Sequence, residues 1–390
     1  MFRFLTAGES HGPSLTAIVE GLPAGLPFSK EIIDEQLRRR QGGYGRGGRM
    51  KIERDEAQVL SGVRHGHTLG SPITLRIENR DWPNWQERMT PDPVDAPPEP
   101  VTRVRPGHAD LPGALKYGQS DVREVIERAS SRETAARVAV GALCRQLLGA
   151  FGVAIHSHVV SVADVGYPAN ALPDVNTADA AFWERVEASE MRCADAELTA
   201  RMIERILAGK RDGDTCGGVF EVVATGVPIG LGGYVQWDQR LSARLGQAML
   251  SIPSAKGVEI GGGFALAALP GSRVHDVVRY DAERGWHHLS NNAGGVEGGI
   301  SNGEAITVRV AVKPIPTLAH PLPSADVVTG ENIEATRYER SDVCVVPAAG
   351  VVGEAMLAIV LAAAWLEKFG GDSLDEMRRN YDGYLATLAR

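Results

Sequence analysis

Between Glu354 and Glu367 the chain runs from Ala355 to Leu366 without one polar side chain. A membrane-spanning helix needs about twenty apolar residues, and this run has twelve. A helix apolar on every side belongs inside a protein, so the segment reads as a buried helix over about 353–368. The apolar fraction of 43% supplies a packed core and argues against disorder. A length of 390 residues allows two or three domains. No linker, low-complexity tract or fixed-period repeat divides it, and one large α/β unit over 1–390 is expected.

Strands are expected over 2–6 and 15–20, with turn residues Gly8 to Ser14 between them. Ser29 can cap a helix to about Gln41, with Ile33 and Leu37 one turn apart on its inner face. Residues 73–78 alternate as a half-buried strand does. The Pro- and Trp-rich stretch 81–112 reads as an irregular functional loop. One helical stretch is expected from Ser120 to about Ala150, with further helices near 195–209 and 239–250. Strands are expected over 153–162, 219–227 and 306–313, and Ser373 with Glu376 caps a final helix. Turns such as Arg211-Asp212-Gly213-Asp214 look hairpin-like and suggest antiparallel pairing.

The net charge of −8 argues against a general nucleic-acid binder. It hides a local reversal: Arg38 to Arg54 holds seven basic residues and one acid, a net of +6. A concentrated basic segment of that kind suits a small anionic ligand. Four separated cysteines, with no CxxC pair, read as reduced core thiols and not as a zinc site. The sequence MFRFLTAGESHG breaks before a signal-peptide apolar region forms. A soluble, cytoplasmic protein without membrane or nucleic-acid partners is the expectation.

Three short patterns resemble well-known motifs but lack their context. Gly43 to Gly48 fits GxGxxG, yet a helix precedes it where a dinucleotide fold needs a strand. A flexible glycine loop that lets several arginines converge is the better reading. Gly8-Glu9-Ser10-His11-Gly12 fits GxSxG, but only seven residues precede it and no helix opens after it, so a serine hydrolase is disfavoured. The pairs His65/His67 and His156/His158 have no carboxylate or Cys cluster beside them, and read as ordinary histidines.

Two histidines stand in unusual settings. His11 is flanked by glycines, and His108 lies in Arg105-Pro106-Gly107-His108-Ala109-Asp110. An imidazole can exchange a proton near neutrality. Consecutive hydroxyls at Ser130 and Ser131 suit a helix start or a ligand contact. Arg340-Ser341-Asp342 brings a base and an acid into a buried segment, for which a salt bridge and a functional role are both open.

These blocks together resemble the chorismate synthase family over nearly the whole length. The carriers are Gly8–Gly12 with its following strand, Arg105–Asp110, ERASSRETAARVAVG from Glu127, and RSDVCVVPAAGVVGE from Arg340. Ser131 departs from the small residue usual in the second signature, which leaves open whether Ser130 or Ser131 faces the cofactor. The resemblance implies a β-α-β sandwich, with helices between two mostly antiparallel sheets, and a homotetramer. It implies trans 1,4-elimination of phosphate from 5-enolpyruvylshikimate 3-phosphate to give chorismate, with reduced FMN as cofactor and NADPH as a candidate source of electrons. Residues 163–198 match nothing assignable in the family.

Carried over residue by residue, the family places His11 as proton donor to the departing phosphate and His108 against the flavin. Asp342 assists proton removal, while Ser10 and Ser130 relay protons. The implied flavin cradle is Arg128, Ala129, Ser130, Pro253, Ser254, Asn291, Gly298, Lys313, Pro314, Ile315, Pro316, Thr317 and Arg340. Anion binding falls to Arg40, Arg46, Arg49, Arg105 and Arg132, with Arg340; Arg40 and Arg46 are alternatively partners of an NADPH phosphate. The planar guanidinium fork suits carboxylate and phosphate alike. Arg38, Arg39 and Arg54 read as a solvated basic face. Two other classes compete with the lyase: a flavin- or anion-binding protein without catalysis, which would not need both histidines beside the arginine cluster, and the hydrolase.

Overall fold

In the strand Ser14–Glu20, Leu15, Ala17 and Val19 are buried, and their partners Ile77, Leu75 and Ile73 are buried with them. The period-two pattern of 73–78 is therefore one apolar face of a sheet. The computed structural model describes residues 1–48, 52–168, 171–336 and 342–388. The first sheet has the order Arg3–Ala7, Ser14–Glu20, Ile73–Glu78, Ala57–Ser61, with every pairing antiparallel. The second has the order Ala255–Ile260, Ile306–Val312, Gly218–Thr225, Ala154–Val162, Val165–Gly166, also antiparallel throughout.

The helices are α1 (Lys30–Gln41), α2 (Asp110–Tyr117), α3 (Arg123–Ala129), α4 (Thr134–Gly149), α5 (Ala180–Ala188), α6 (Ala196–Arg211), α7 (Leu241–Leu250), α8 (Val346–Phe369) and α9 (Leu374–Leu388). The apolar run is the middle of α8, which starts earlier than expected, with Pro347 in its first turn where no backbone N–H is needed. Helix α4 lies on the first sheet, α8 on the second, and the two pack against each other. The result is the expected sandwich of two antiparallel sheets with helices between. Contact between α4 and α8 is close because of Gly141: a Cβ there would stand 2.4 Å from the Ala355 Cβ. Only glycine lets the two backbones approach that far.

Three expectations need correction. The helical stretch from 120 to 150 is two helices, because Ser130 takes an extended conformation (ψ 141°) and a short 3-10 turn, Ser131–Glu133, follows. The turn 211–214 ends α6 before a strand and makes no hairpin; Gly213 has φ +70° and its N–H donates to the Lys210 carbonyl. Arg39 is not on a solvated face. It donates to Glu354 at 2.7 and 2.9 Å, and the buried Glu354 carboxylate also accepts from Arg145, Arg192 and Ser157. Although burial opposes its ionisation, three neighbouring arginines hold Glu354 far below the ordinary carboxylate range. Arg38 and Arg54 are exposed, as expected.

Candidate functional site

The turn between the first two strands carries Ser10 and His11. Gly8 opens it with φ +109°, where a Cβ would meet the Ser14 carbonyl at 2.3 Å. Asn79 fixes its other end, donating to the carbonyls of Gly12 (2.7 Å) and Glu9 (3.1 Å). His11 is held from three sides. Its backbone N–H donates to Glu127 Oε2 at 2.7 Å, and its Nδ1 lies 2.9 and 3.1 Å from the two Glu127 oxygens. Its ring stacks on Trp85, centroids 3.9 Å apart. Burial disfavours the Glu127 charge, but hydrogen bonds from His11 and the charges of His11 and Arg123 hold its pKa below the usual value.

His108 repeats this arrangement at the start of α2. Its Nδ1 is 2.5 Å from Asp110 Oδ1, and Arg105 donates to the same carboxylate at 2.8 and 3.0 Å. Asp110 is fully buried; despite burial, its bonds to His108 and Arg105 hold it well below the carboxylate range. Gly107, at φ +78°, sets the turn that delivers His108, and its carbonyl accepts from Lys313 Nζ.

The glycine loop after α1 holds the segment that bears Asp342. Gly47 N–H donates to Asp342 Oδ1 at 2.5 Å and Arg46 Nη1 lies 3.0 Å from Oδ2, while the Gly45 carbonyl accepts from Val343 N–H at 2.8 Å. The segment bearing Asp342 is thus docked on the loop. Arg132 and Arg40 meet the same buried Asp55: Arg132 donates to both its oxygens at 2.6 Å and to Asn79 at 2.9 Å. Arg40 donates to Thr134 and to the Ser131 carbonyl, each at 2.9 Å. Burial, reinforced by Arg132 and Arg46 and opposed by Asp55, pushes the Arg40 guanidinium down to about 9, so it stays charged at neutral pH.

All of this surrounds one cavity of about 870 Å³. Ala348, Ala349 and Val352 of α8 with Ile126 and Ile252 give it an apolar wall. Among the described residues, seven cationic side chains line it against two carboxylates, Asp81 and Asp342. Of the residues picked out from the sequence, the cavity gathers Ser10, His11, Arg40, Arg46, Arg105, His108, Ala129, Ser130, Arg132 and Asp342. It gathers Pro253, Ser254, Lys313, Ile315, Pro316 and Thr317 as well. Ser130 and Ser131 both line it; Ser130 Oγ also accepts from Arg132 N–H at 3.2 Å. Ser254 holds φ +68°, an uncommon conformation for a residue with a Cβ, at the cavity wall.

Arg128, Pro314, Asn291 and Gly298 are not among the lining residues. Arg128 donates to Thr6 and to the Gly8 carbonyl, bracing the His11 turn from behind. Asn291 donates to the Ala305 carbonyl and accepts from Gly295 N–H, so it shapes a loop. Gly298 sits at φ +61° between the short strands Val296–Glu297 and Ile300–Ser301. Arg49 and Arg340 lie outside the described residues.

Reasoning from sequence passed over Glu127, Asp110, Trp85, Arg123 and Lys256. Two of them belong to the motifs themselves, since Asp110 closes the His108 block and Glu127 opens the second signature. Trp85 had only its place in the irregular 81–112 stretch as a signal. The remaining histidine pairs take ordinary places: His65 and His67 are exposed, His156 stacks on Trp183, and buried His158 bonds Glu221 at 3.0 Å. Among the described residues no His, Cys, Asp and Glu cluster fits a metal, and the four cysteines are buried free thiols.

A walled cavity rich in cations, with two histidines each tied to a buried carboxylate, defines an acid–base site for a small polyanion. Known proteins narrow that class. The chorismate synthase family model matches residues 2–366. Chorismate synthase of Geobacter metallireducens is 56% identical, with 100% of this chain and 99% of the relative covered. That of Symbiobacterium thermophilum is 55% identical with both chains covered in full. A crystal structure of chorismate synthase superposes with a TM-score of 0.81 at 45% identity, covering 100% of this chain and 98% of the other. The chain belongs to the chorismate synthase family, lyases of the shikimate pathway of aromatic amino acid biosynthesis.

Proposed function

We propose that this cavity converts 5-enolpyruvylshikimate 3-phosphate to chorismate and inorganic phosphate. The observation that carries the reading is the pair of carboxylate-anchored histidines facing one cation-lined cavity. In the elimination a ring C–H bond and the C–O bond to phosphate both break. The freed electron pair completes a conjugated diene, so phosphate leaves without oxidation or reduction of the substrate overall. The substrate carries two carboxylates and a phosphate, which explains why a cavity in an acidic protein is lined by arginine and lysine.

Reduced FMN fits the same space. The apolar wall from α8, Ile126 and Ile252 suits a flat ring, and Lys313, Lys256 and the Pro253–Ser254 turn suit its polar groups and phosphate. When bound, the reduced flavin supplies an electron-rich ring that favours departure of the phosphate. His11 holds the proton that the leaving phosphate oxygen needs, and such general-acid help contributes about 10²- to 10⁴-fold. His108, fixed by Asp110 and Arg105, places a second imidazole in the same cavity, against the flavin. Asp342 keeps a carboxylate at the cavity edge through Arg46 and the Gly47 N–H. Arg46 and Arg105 present positive charge to the substrate's anionic groups while anchored to Asp342 and Asp110, whereas Arg40 and Arg132, more fully buried, build the wall through Asp55, Asn79, Thr134 and the Ser131 carbonyl. NADPH is the electron source proposed for the flavin, delivered through a separate reductase, and the chain works as a cytoplasmic homotetramer of one-domain protomers.

The test is turnover under anaerobic conditions by wild type, His11→Ala and His108→Ala, each with chemically reduced FMN. Both variants should fold, and both should slow by about 10² or more; wild-type rates in both would remove the assigned roles. NADPH with oxidised FMN and no added reductase should give no chorismate. Labelling of Ser10 by a fluorophosphonate would instead revive the hydrolase.

A further inference from the structure

We propose that Glu127 is the positioning residue that fixes His11 in the Nδ1–H form, so that Nε2 is the ring atom exchanging protons in the cavity. The inference rests on the proton-donor role given to His11 above. Glu127 is 2% exposed and held ionised, and an ionised carboxylate accepts hydrogen bonds but cannot donate them. With both its oxygens at 2.9 and 3.1 Å from Nδ1, that nitrogen must carry the proton. The opposite nitrogen then holds a lone pair in neutral imidazole and a proton in imidazolium, which is what a group cycling between base and acid needs.

The carboxylate also sets where the ring stands. Oε2 accepts the His11 backbone N–H at 2.7 Å, so one carboxylate fixes main chain and side chain together. Trp85 covers a ring face, its own indole N–H donating to Asp81 at 3.1 Å, and Arg123 lies over the indole while reaching Glu127 Oε1 at 3.4 Å. Ring rotation would break the Nδ1 bond and the stack at once. Arg123, 3.4 Å from Glu127 Oε1, adds a second positive charge that favours the ionised carboxylate beside His11.

The experiment pairs kinetics with isotope-edited nitrogen NMR of the histidines, with His11 assigned by its loss in His11→Ala. Wild type should show His11 as the Nδ1–H tautomer. Glu127→Gln keeps the shape and an acceptor for the backbone N–H but loses the charge; it should shift His11 toward the other tautomer or a mixture. Its kcat should fall about 100-fold, with KM for the phosphorylated substrate and FMN binding little changed. Glu127→Asp, which keeps the charge, should recover part of that loss. An Nε2–H tautomer in wild type, or a folded Glu127→Gln with unaltered tautomer and kcat, overturns the proposal. If wild type makes no chorismate while the tautomer still follows Glu127, the positioning role stands and the proposed function falls.

Discussion

Each histidine in the cavity is bonded to a carboxylate that the sequence places close by or far away. Asp110 is two residues from His108, whereas Glu127 lies 116 residues from His11 and reaches it only because α3 packs behind the first turn. That difference explains what could be read beforehand. His11, His108 and Arg105 stood out by their glycine and proline neighbours, but the anchoring carboxylates are ordinary residues whose meaning is spatial. The arginines mislead in the opposite sense: guanidinium groups suit anions, yet Arg40 and Arg132 have their forks filled by protein acceptors. Arg132→Lys should therefore damage the fold more than substrate affinity, since a single ammonium cannot bridge Asp55 and Asn79 together. Thermal unfolding should show a drop for it, and a change confined to KM would contradict the structural role.

The helices tie the sandwich together through a charge cluster that no periodicity reveals. Glu354 of α8 meets Arg39 of α1, Arg145 of α4 and Arg192 after α5. Removing one partner of a buried ionic group leaves the rest uncompensated, at about 3–5 kcal/mol. Glu354→Ala should show that loss in urea unfolding; a loss under about 1 kcal/mol would mean the arginines find other partners. Glu187, on the rim of the cluster, is held at about 2 by Arg39 and Arg192 against its burial. A depressed carboxylate stabilises above its unfolded pKa of about 4.3 and loses that contribution as pH falls through the folded value. Glu187→Gln should be less stable than wild type at pH 7, by about 1 kcal/mol given its partial exposure, and the gap should close between about pH 4 and pH 2. A gap independent of pH would exclude an electrostatic origin. Gly141→Val tests the α4–α8 contact: the added side chain meets the Ala355 backbone, so it should destabilise by about 1–3 kcal/mol or more.

In the molecule as a whole, the apolar run and the strand alternations announced the layers, because burial imposes a period that the chain must carry locally. The two-sheet arrangement followed only from resemblance, since pairing order leaves no local mark. The break at Ser130 went unread for a related reason. Helix α3 and helix α4 both carry helical apolar spacing, and the extended Ser130 that separates them lines the cavity. The net charge of −8 says little about a site whose walls are cationic. Because attraction to that lining is partly long-range, KM for the substrate should rise with ionic strength while kcat holds. Reduced FMN at 100 times its Kd should stabilise the protein by about 2.7 kcal/mol, read as a raised Tm.

The most direct measurement counts products per flavin. Wild-type protein is mixed anaerobically with excess 5-enolpyruvylshikimate 3-phosphate and a small amount of chemically reduced FMN, and chorismate and phosphate are assayed together. A lyase of this kind should release many chorismates per flavin, each matched by one phosphate, with the flavin still reduced at the end. Phosphate without chorismate, or no product from folded protein that binds flavin, would contradict it.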